Sequence, residues 1–171
     1  MRKTILLFPL TLAMLTLASC SKGSTDPDKV PDSYTADVRL TTNGREFSAT
    51  LVKSKNDWQF EFTEPETIKG MKLSSDGDSF TAELEKLKFT DDIKNLSENS
   101  PPRLIVKALS MCESGKGMTA EKKNGKTVNT GTIEGADLSV TFDNGKPVSM
   151  EIGGEIAVTF ENVKFDEPKE E

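Results

Sequence analysis

The residues 120–127, Ala-Glu-Lys-Lys-Asn-Gly-Lys-Thr, have the outline of a phosphate-binding loop with alanine in the leading position. Such a loop needs a strand before it, a helix after it and a glycine-rich backbone around the phosphates. Here Asn124-Gly125 lies between two strand-like runs, and Asn-Gly is a strong hairpin signal, so the stretch reads as a β-hairpin. Asp76-Gly77-Asp78 could open a calcium loop, but no further acidic residue follows at the spacing a multi-oxygen site requires. It reads as a turn. Asp91-Asp92 reads as the start of a helical turn rather than a catalytic pair. The chain has no histidine, which removes the commonest participant in metal sites and in Ser-His catalysis. No Gly-x-Ser-x-Gly elbow occurs. Cys112 reads as a small buried hydrophobe, since a catalytic thiol would want a histidine beside it. The expectation is a protein without catalysis, cofactor or metal.

The second cysteine, Cys20, has different surroundings. Arg2 and Lys3 precede an apolar run from Thr4 to Leu17, and the run ends in Leu17-Ala18-Ser19-Cys20. The run is too short and interrupted for a spanning helix. The arrangement resembles the bacterial lipoprotein signal, whose last residue is the acylated cysteine. That resemblance implies removal of residues 1–19, lipid (palmitate-type acyl chains) on Cys20, and an extracytoplasmic protein attached to a bacterial membrane through it. Several acyl chains anchor far better than one. Residues 20–33 then read as the lipidated cysteine and a flexible tether, polar and proline-bearing. Residues 34–165 make one domain, and residues 166–171 an acidic tail expected to stay disordered.

Without residues 1–19 the chain keeps 20 basic and 28 acidic residues, a formal charge of −8. Nucleic acid is disfavoured, because phosphate neutralisation needs clustered Lys and Arg. Flat docking on anionic lipid is disfavoured as well, and the domain is expected to float above the membrane on its tether. Any protein partner is unidentified at this level. With Cys20 assigned to lipid, no disulfide framework remains.

The elements are mostly strands. Tyr34, Ala36, Val38 and Leu40 alternate with polar residues; Asn43-Gly44 turns the chain; Phe47, Ala49 and Leu51 return, and Trp58, Phe60 and Phe62 follow. Pro65 ends that strand. Met71–Leu73 is a short strand before Asp76-Gly77, and Phe80, Ala82 and Leu84 alternate next. Leu87 and Phe89 fall on the other parity, which predicts either a bulge or a strand end near Glu85. Ser100 is placed to cap a helix over Pro102–Cys112, with Leu104, Ile105, Ala108, Leu109 and Cys112 buried and Gly115 and Gly117 beyond it. Five further runs centred on residues 120, 130, 139, 149 and 159 alternate to the C-terminus, with Val148, Met150 and Ile152 on one face.

The total is eight or nine one-faced strands and a single real helix. A helix of about three turns cannot cover so wide a sheet. The sheet must curl, giving a mainly β (α+β) fold: an unclosed antiparallel half-barrel with the helix as plug or lid. Its inner wall would carry Trp58, Phe60, Phe62, Met71, Leu73, Phe80, Leu109, Phe142, Met150 and Phe160, the candidate surface for a hydrophobic ligand. For each residue taken singly a packed core is the commoner role, because a pocket wall and a core share the same composition.

The stretch Trp58–Phe62, Pro65, Met71–Leu73, Asp76-Gly77 and Phe80 resembles the superfamily of LolA and LolB carriers and LppX-type lipoproteins, which share a strand ending near a proline and a short strand reaching an Asp-Gly turn. The order of meander, helical insertion and closing strands agrees. Where carriers have an arginine before the proline, this chain has Gln59 and Glu61, so the carriers' gating is not implied. The resemblance implies the half-barrel and a tendency to hold acyl chains in its concave face. The alternative is a lipid-tethered interaction or accessory module of a membrane complex, with a closed core.

Overall fold

A computed structural model describes residues 24–166. The expected signal peptide, Cys20 and the tail beyond Asp166 lie outside them. The strands are β1 (Ser24–Thr25), β2 (Ser33–Thr42), β3 (Arg45–Ser54), β4 (Asp57–Glu64), β5 (Lys72–Ser75), β6 (Ser79–Leu84), β7 (Leu87–Asp92), β8 (Thr119–Lys123), β9 (Lys126–Ile133), β10 (Ala136–Asp143), β11 (Lys146–Ile152) and β12 (Ile156–Phe165). One helix, α1 (Pro101–Ser114), connects β7 to β8. All strands join one antiparallel sheet in the order β1-β8-β9-β10-β11-β12-β2-β3-β4-β5-β6-β7. Its two ends, β1 and β7, do not pair with each other. The fold is an unclosed half-barrel with one helix on its concave side, as the strand count demanded.

Turn chemistry explains the regular register. Asn43-Gly44 and Asn124-Gly125 both have positive φ at each residue, the geometry of a two-residue hairpin that follows the twist of its strands. The phosphate-loop outline at 120–127 is therefore the β8–β9 hairpin. The parity change after Leu84 is also a hairpin: β6 and β7 pair Leu84 with Leu87 and Ala82 with Phe89, around Glu85 at φ 54°. The parity change after Asn162 is an irregularity between Glu161 and Lys164. One expectation fails locally. Val148 leaves the inner face because the register shifts between Thr141 and Phe142, placing Phe142 opposite Pro147. A bulge of this kind leaves one residue unpaired and re-aims its neighbours.

The helix is longer than its apolar pattern predicted, and Val106 joins its buried face. Ser100 stands at the N-cap with extended backbone, but its hydroxyl makes no capping bond. Arg103 closes this end instead, its Nη1 donating to the carbonyls of Ile93 (3.2 Å) and Leu96 (2.6 Å). Gly115, at φ 69°, ends the helix in the left-handed conformation and donates its N–H to Met111.

Residues 24–33, expected as a free tether, lie against the domain. β1 pairs with β8, Val30 is buried in the core, and the Asp32 carbonyl accepts from Lys55 N. Asn129, fully buried on β9, holds this strap twice: its Oδ1 accepts from Asp28 N (3.2 Å) and its Nδ2 donates to Asp28 O (2.7 Å). Asn129→Ala leaves both backbone groups without these partners, at a cost of about 1–3 kcal/mol. Hydrogen exchange should show the Asp28 amide losing protection while β2 and β3 amides keep theirs. Gly131 has a steric role. A Cβ there would stand 2.8 Å from the Gly117 carbonyl oxygen and 2.8 Å from the Met118 sulfur. Gly131→Ala should therefore lower stability in urea unfolding by about 1–3 kcal/mol, the cost of overpacking.

Candidate functional site

The inner-wall residues come together, but as core. Trp58, Phe60, Phe62, Leu73, Phe80, Leu109, Phe142, Met150 and Phe160 are all buried in one cluster with α1. Trp58–Phe60 and Phe47–Phe62 make edge-to-face contacts at centroid distances of 5.8 and 6.4 Å. Of the ten, Met71 alone is half-buried, packed on the margin of the cluster. The physical reason is α1. Leu104, Ile105, Val106, Ala108, Leu109 and Cys112 fill the concave side that a ligand would otherwise occupy.

Apolar surface remains accessible beyond the reach of the helix, toward the free edge. β5 pairs Leu73 with Ala82 of β6, and β6 pairs Ala82 with Phe89 and Leu84 with Leu87 of β7. These side chains share the concave face. Leu87 is 76% exposed and Phe89 56%. With Met71, Ala82 and Leu84 they line an open cleft of about 350 Å³. Phe89 also meets Phe80 of the core at 5.7 Å between centroids, so the cleft continues the core outward. Glu83 and Lys88, on the opposite parity, form a 2.9 Å ion pair at its rim. A second cleft, of about 270 Å³, includes Ser54, Gln59, Ser74, Asp76 and Thr81 and is more polar in character. The sequence reading missed Leu84, Leu87 and Phe89 as site residues. The hairpin parity was the available signal.

The strap end of the half-barrel holds a buried polar group. Lys53 follows the inward parity of β3, is 2% exposed, and lies 3.1 Å from Glu113 of α1. Its Nζ also donates to the Lys55 carbonyl. Burial pushes the Glu113 carboxyl above its ordinary value, with the Lys53 hydrogen bond and charge opposing. Burial likewise raises the Tyr34 phenol, with Glu113 adding to it. The Cys112 thiol is pushed up to about 11, chiefly by burial, against a hydrogen bond from Asn129. A fully buried thiol shifted that way is protonated and inert at neutral pH, as expected for a small hydrophobe. Asp76 accepts from Asp78 N (3.1 Å), Ser79 N (2.8 Å) and Ser79 Oγ (3.1 Å), which hold its carboxyl below the usual range. It is the acceptor of a turn. Among the described residues no three His, Cys, Asp or Glu side chains are grouped to hold a metal ion, and no helix is long and apolar enough to cross a membrane.

No protein-family model matches this sequence, and no curated protein sequence does. Solved structures do match. An uncharacterised conserved protein from Thermus thermophilus superposes with a TM-score of 0.50 at 10% identity, covering 80% of each chain. The likeness is one of fold. A LolA superfamily protein from Nitrosomonas europaea matches at a TM-score of 0.44 and 10% identity over 82% of this chain and 90% of its own. The Mycobacterium tuberculosis lipoprotein LppX matches at 0.41 and 16% identity, over 80% and 88%.

Proposed function

We propose that this protein is a membrane-anchored extracytoplasmic lipoprotein that binds a lipid or another hydrophobic ligand on the concave face, without catalysis. Cys20 carries the anchor. The ligand lies along the free edge, against Met71, Ala82, Leu84, Leu87 and Phe89. The observation that carries this reading is the exposure of Leu87 and Phe89 on the concave side of the sheet, contiguous with the core. Two large apolar side chains side by side in water on a hairpin leave apolar surface that a ligand can cover with a gain in free energy. The cleft's volume is that of a small-molecule site. Binding is by apolar contact, so acyl chains fit and charged metabolites do not. Native mass spectrometry of the protein after expression in a bacterial envelope tests this. A bound lipid-sized adduct that organic extraction removes is the expected result; a chain of bare mass under gentle ionisation would count against it.

A second reading has its own observation. The filled interior beneath α1 suits an accessory module whose free β7 edge and apolar cleft meet a protein partner. Stoichiometric recovery of one envelope protein by cross-linking through the β6–β7 hairpin, with no lipid adduct, would favour it.

A further inference from the structure

The open edge of the sheet presents backbone as well as apolar side chains. β7 is the terminal strand, with no strand beyond it among the described residues. The loop joining β6 to β7 is two residues long, so its closing pair, Leu84 and Leu87, is a hydrogen-bonded one. Ile93 keeps the same parity, its N–H donating to the Asp78 carbonyl. Leu87, Phe89 and Asp91 therefore turn their N–H and C=O groups toward β6. Lys88, Thr90 and Asp92 turn theirs outward, and the Asp92 N–H is taken up by the Asp91 side chain at 2.8 Å. Outward-facing groups of this kind are a template for a further strand.

The charges on β7 select which strand fits. Lys88 and Asp92 stand at the two ends of the outward-facing set, with Thr90 between them. An antiparallel ladder with a second β7, about a twofold axis at Thr90, sets Lys88 of each copy opposite Asp92 of the other. An axis at Lys88 would oppose two lysines, and one at Asp92 two aspartates. Opposed like charges destabilise a ladder and opposed unlike charges stabilise it. An axis at Phe89 or Asp91 would oppose residues whose backbone groups already face β6. On the convex face Lys88 pairs with Glu83 at 2.9 Å and Asp92 with Lys94 at 2.8 Å. The junction would extend these pairs into rows of alternating sign: Glu83 and Lys88 of one copy, then Asp92 and Lys94 of the other. Lys86 falls level with Lys94, but the 3-10 turn Ile93–Asn95 ends the ladder there. On the concave face Phe89 stands opposite Asp91, whose carboxylate accepts from Asn95 of its own chain at 3.0 Å.

We infer that the β7 edge is the interface of a homodimer, an antiparallel β7–β7 ladder centred on Thr90 that joins two sheets into one. The occupant of the edge is a second copy of this chain, because the edge is complementary to itself in both hydrogen bonding and charge. The two Phe89 side chains become diagonal neighbours, about 7–8 Å apart and within aromatic reach. The two apolar clefts then adjoin at the twofold axis. The dimer gives the free edge a partner and does not require the ligand, since each cleft is lined within one chain.

Cysteine cross-linking of the full chain under mild oxidation tests this. Opposed residues of a hydrogen-bonded pair have Cα atoms about 5.5 Å apart, within the span of a disulfide. Thr90→Cys should therefore give a disulfide-linked band of twice the mass. Lys88→Cys, with its two copies about 14 Å apart along the ladder, should match the parent, in which Cys112 is fully buried. Adding Lys88→Glu to Thr90→Cys opposes acid to acid twice and should cut the yield about fivefold; adding Asp92→Lys as well should restore it. A Thr90→Cys chain that stays monomeric, that links no better than Lys88→Cys, or whose yield ignores Lys88→Glu overturns the dimer. None of these outcomes bears on ligand binding, which the lipid adduct reads separately.

Discussion

Lys53→Met is expected to lower the unfolding free energy by about 3 kcal/mol, because it leaves the largely buried Glu113 carboxylate without its cation. The methionine keeps the aliphatic stem that packs beside Trp58, its cross-strand partner, so the loss is of charge rather than volume. The double variant Lys53→Met, Glu113→Gln should recover most of that loss, since replacing both members of a buried pair is often neutral. Urea unfolding of the three proteins measures the coupling. The pH dependence has a definite sign. Glu113 already titrates above its ordinary value, and removing Lys53 raises it further. Between the ordinary and the raised value the folded state binds more protons than the unfolded one, so stability falls as pH rises through that window. The single variant should therefore gain stability relative to the parent on going from neutral to mildly acidic pH, and the double variant should not. A single variant as stable as the parent would mean the ion pair is not what ties α1 to β3.

Leu87→Asp combined with Phe89→Asp should weaken binding of a fluorescent fatty acid by about two orders of magnitude, from the loss of two apolar contacts at about 1.5 kcal/mol or more apiece. Both side chains are more than half exposed in the unliganded fold, so the melting transition should move little. That separation of binding from stability distinguishes a site from a core. Phe142→Ala makes the opposite control. Phe142 is fully buried, and its truncation should cost about 3–5 kcal/mol of stability while probe affinity in the folded fraction stays near that of the parent. If the double aspartate variant binds the probe as well as the parent does, the cleft is not the site.

Alternation made most of the half-barrel legible, because each strand has one wet face. Asn43-Gly44 and Asn124-Gly125 fixed hairpins at their positions. The curl followed from a helix too small for its sheet. Three features escaped for identifiable reasons. Lys53 occupies an inward position by simple parity with Phe47, Ala49 and Leu51, but a lysine there has meaning only once Glu113 arrives from α1, 60 residues later in the chain. Asn129 is inward on β9 between Thr127 and Gly131; its partner is the backbone of Asp28, and backbone groups leave no mark in sequence. β1 has two residues, too few for any period to show. The candidate wall was left open between core and ligand surface for a different reason. A buried core and a ligand surface use the same residues, and only the packed structure separates Phe60 and Phe142, buried in one cluster with α1, from Leu87 and Phe89 at the free edge.

Photo-crosslinking tests the central claim most directly. A fatty acid carrying a diazirine on its acyl chain, irradiated with the mature protein and mapped by peptide mass spectrometry, should place adducts between Met71 and Phe89, with unlabelled fatty acid competing them away. Adducts scattered over the convex face, or a protein that stays unmodified at saturating probe, would contradict the assignment of the open edge as a hydrophobic-ligand site.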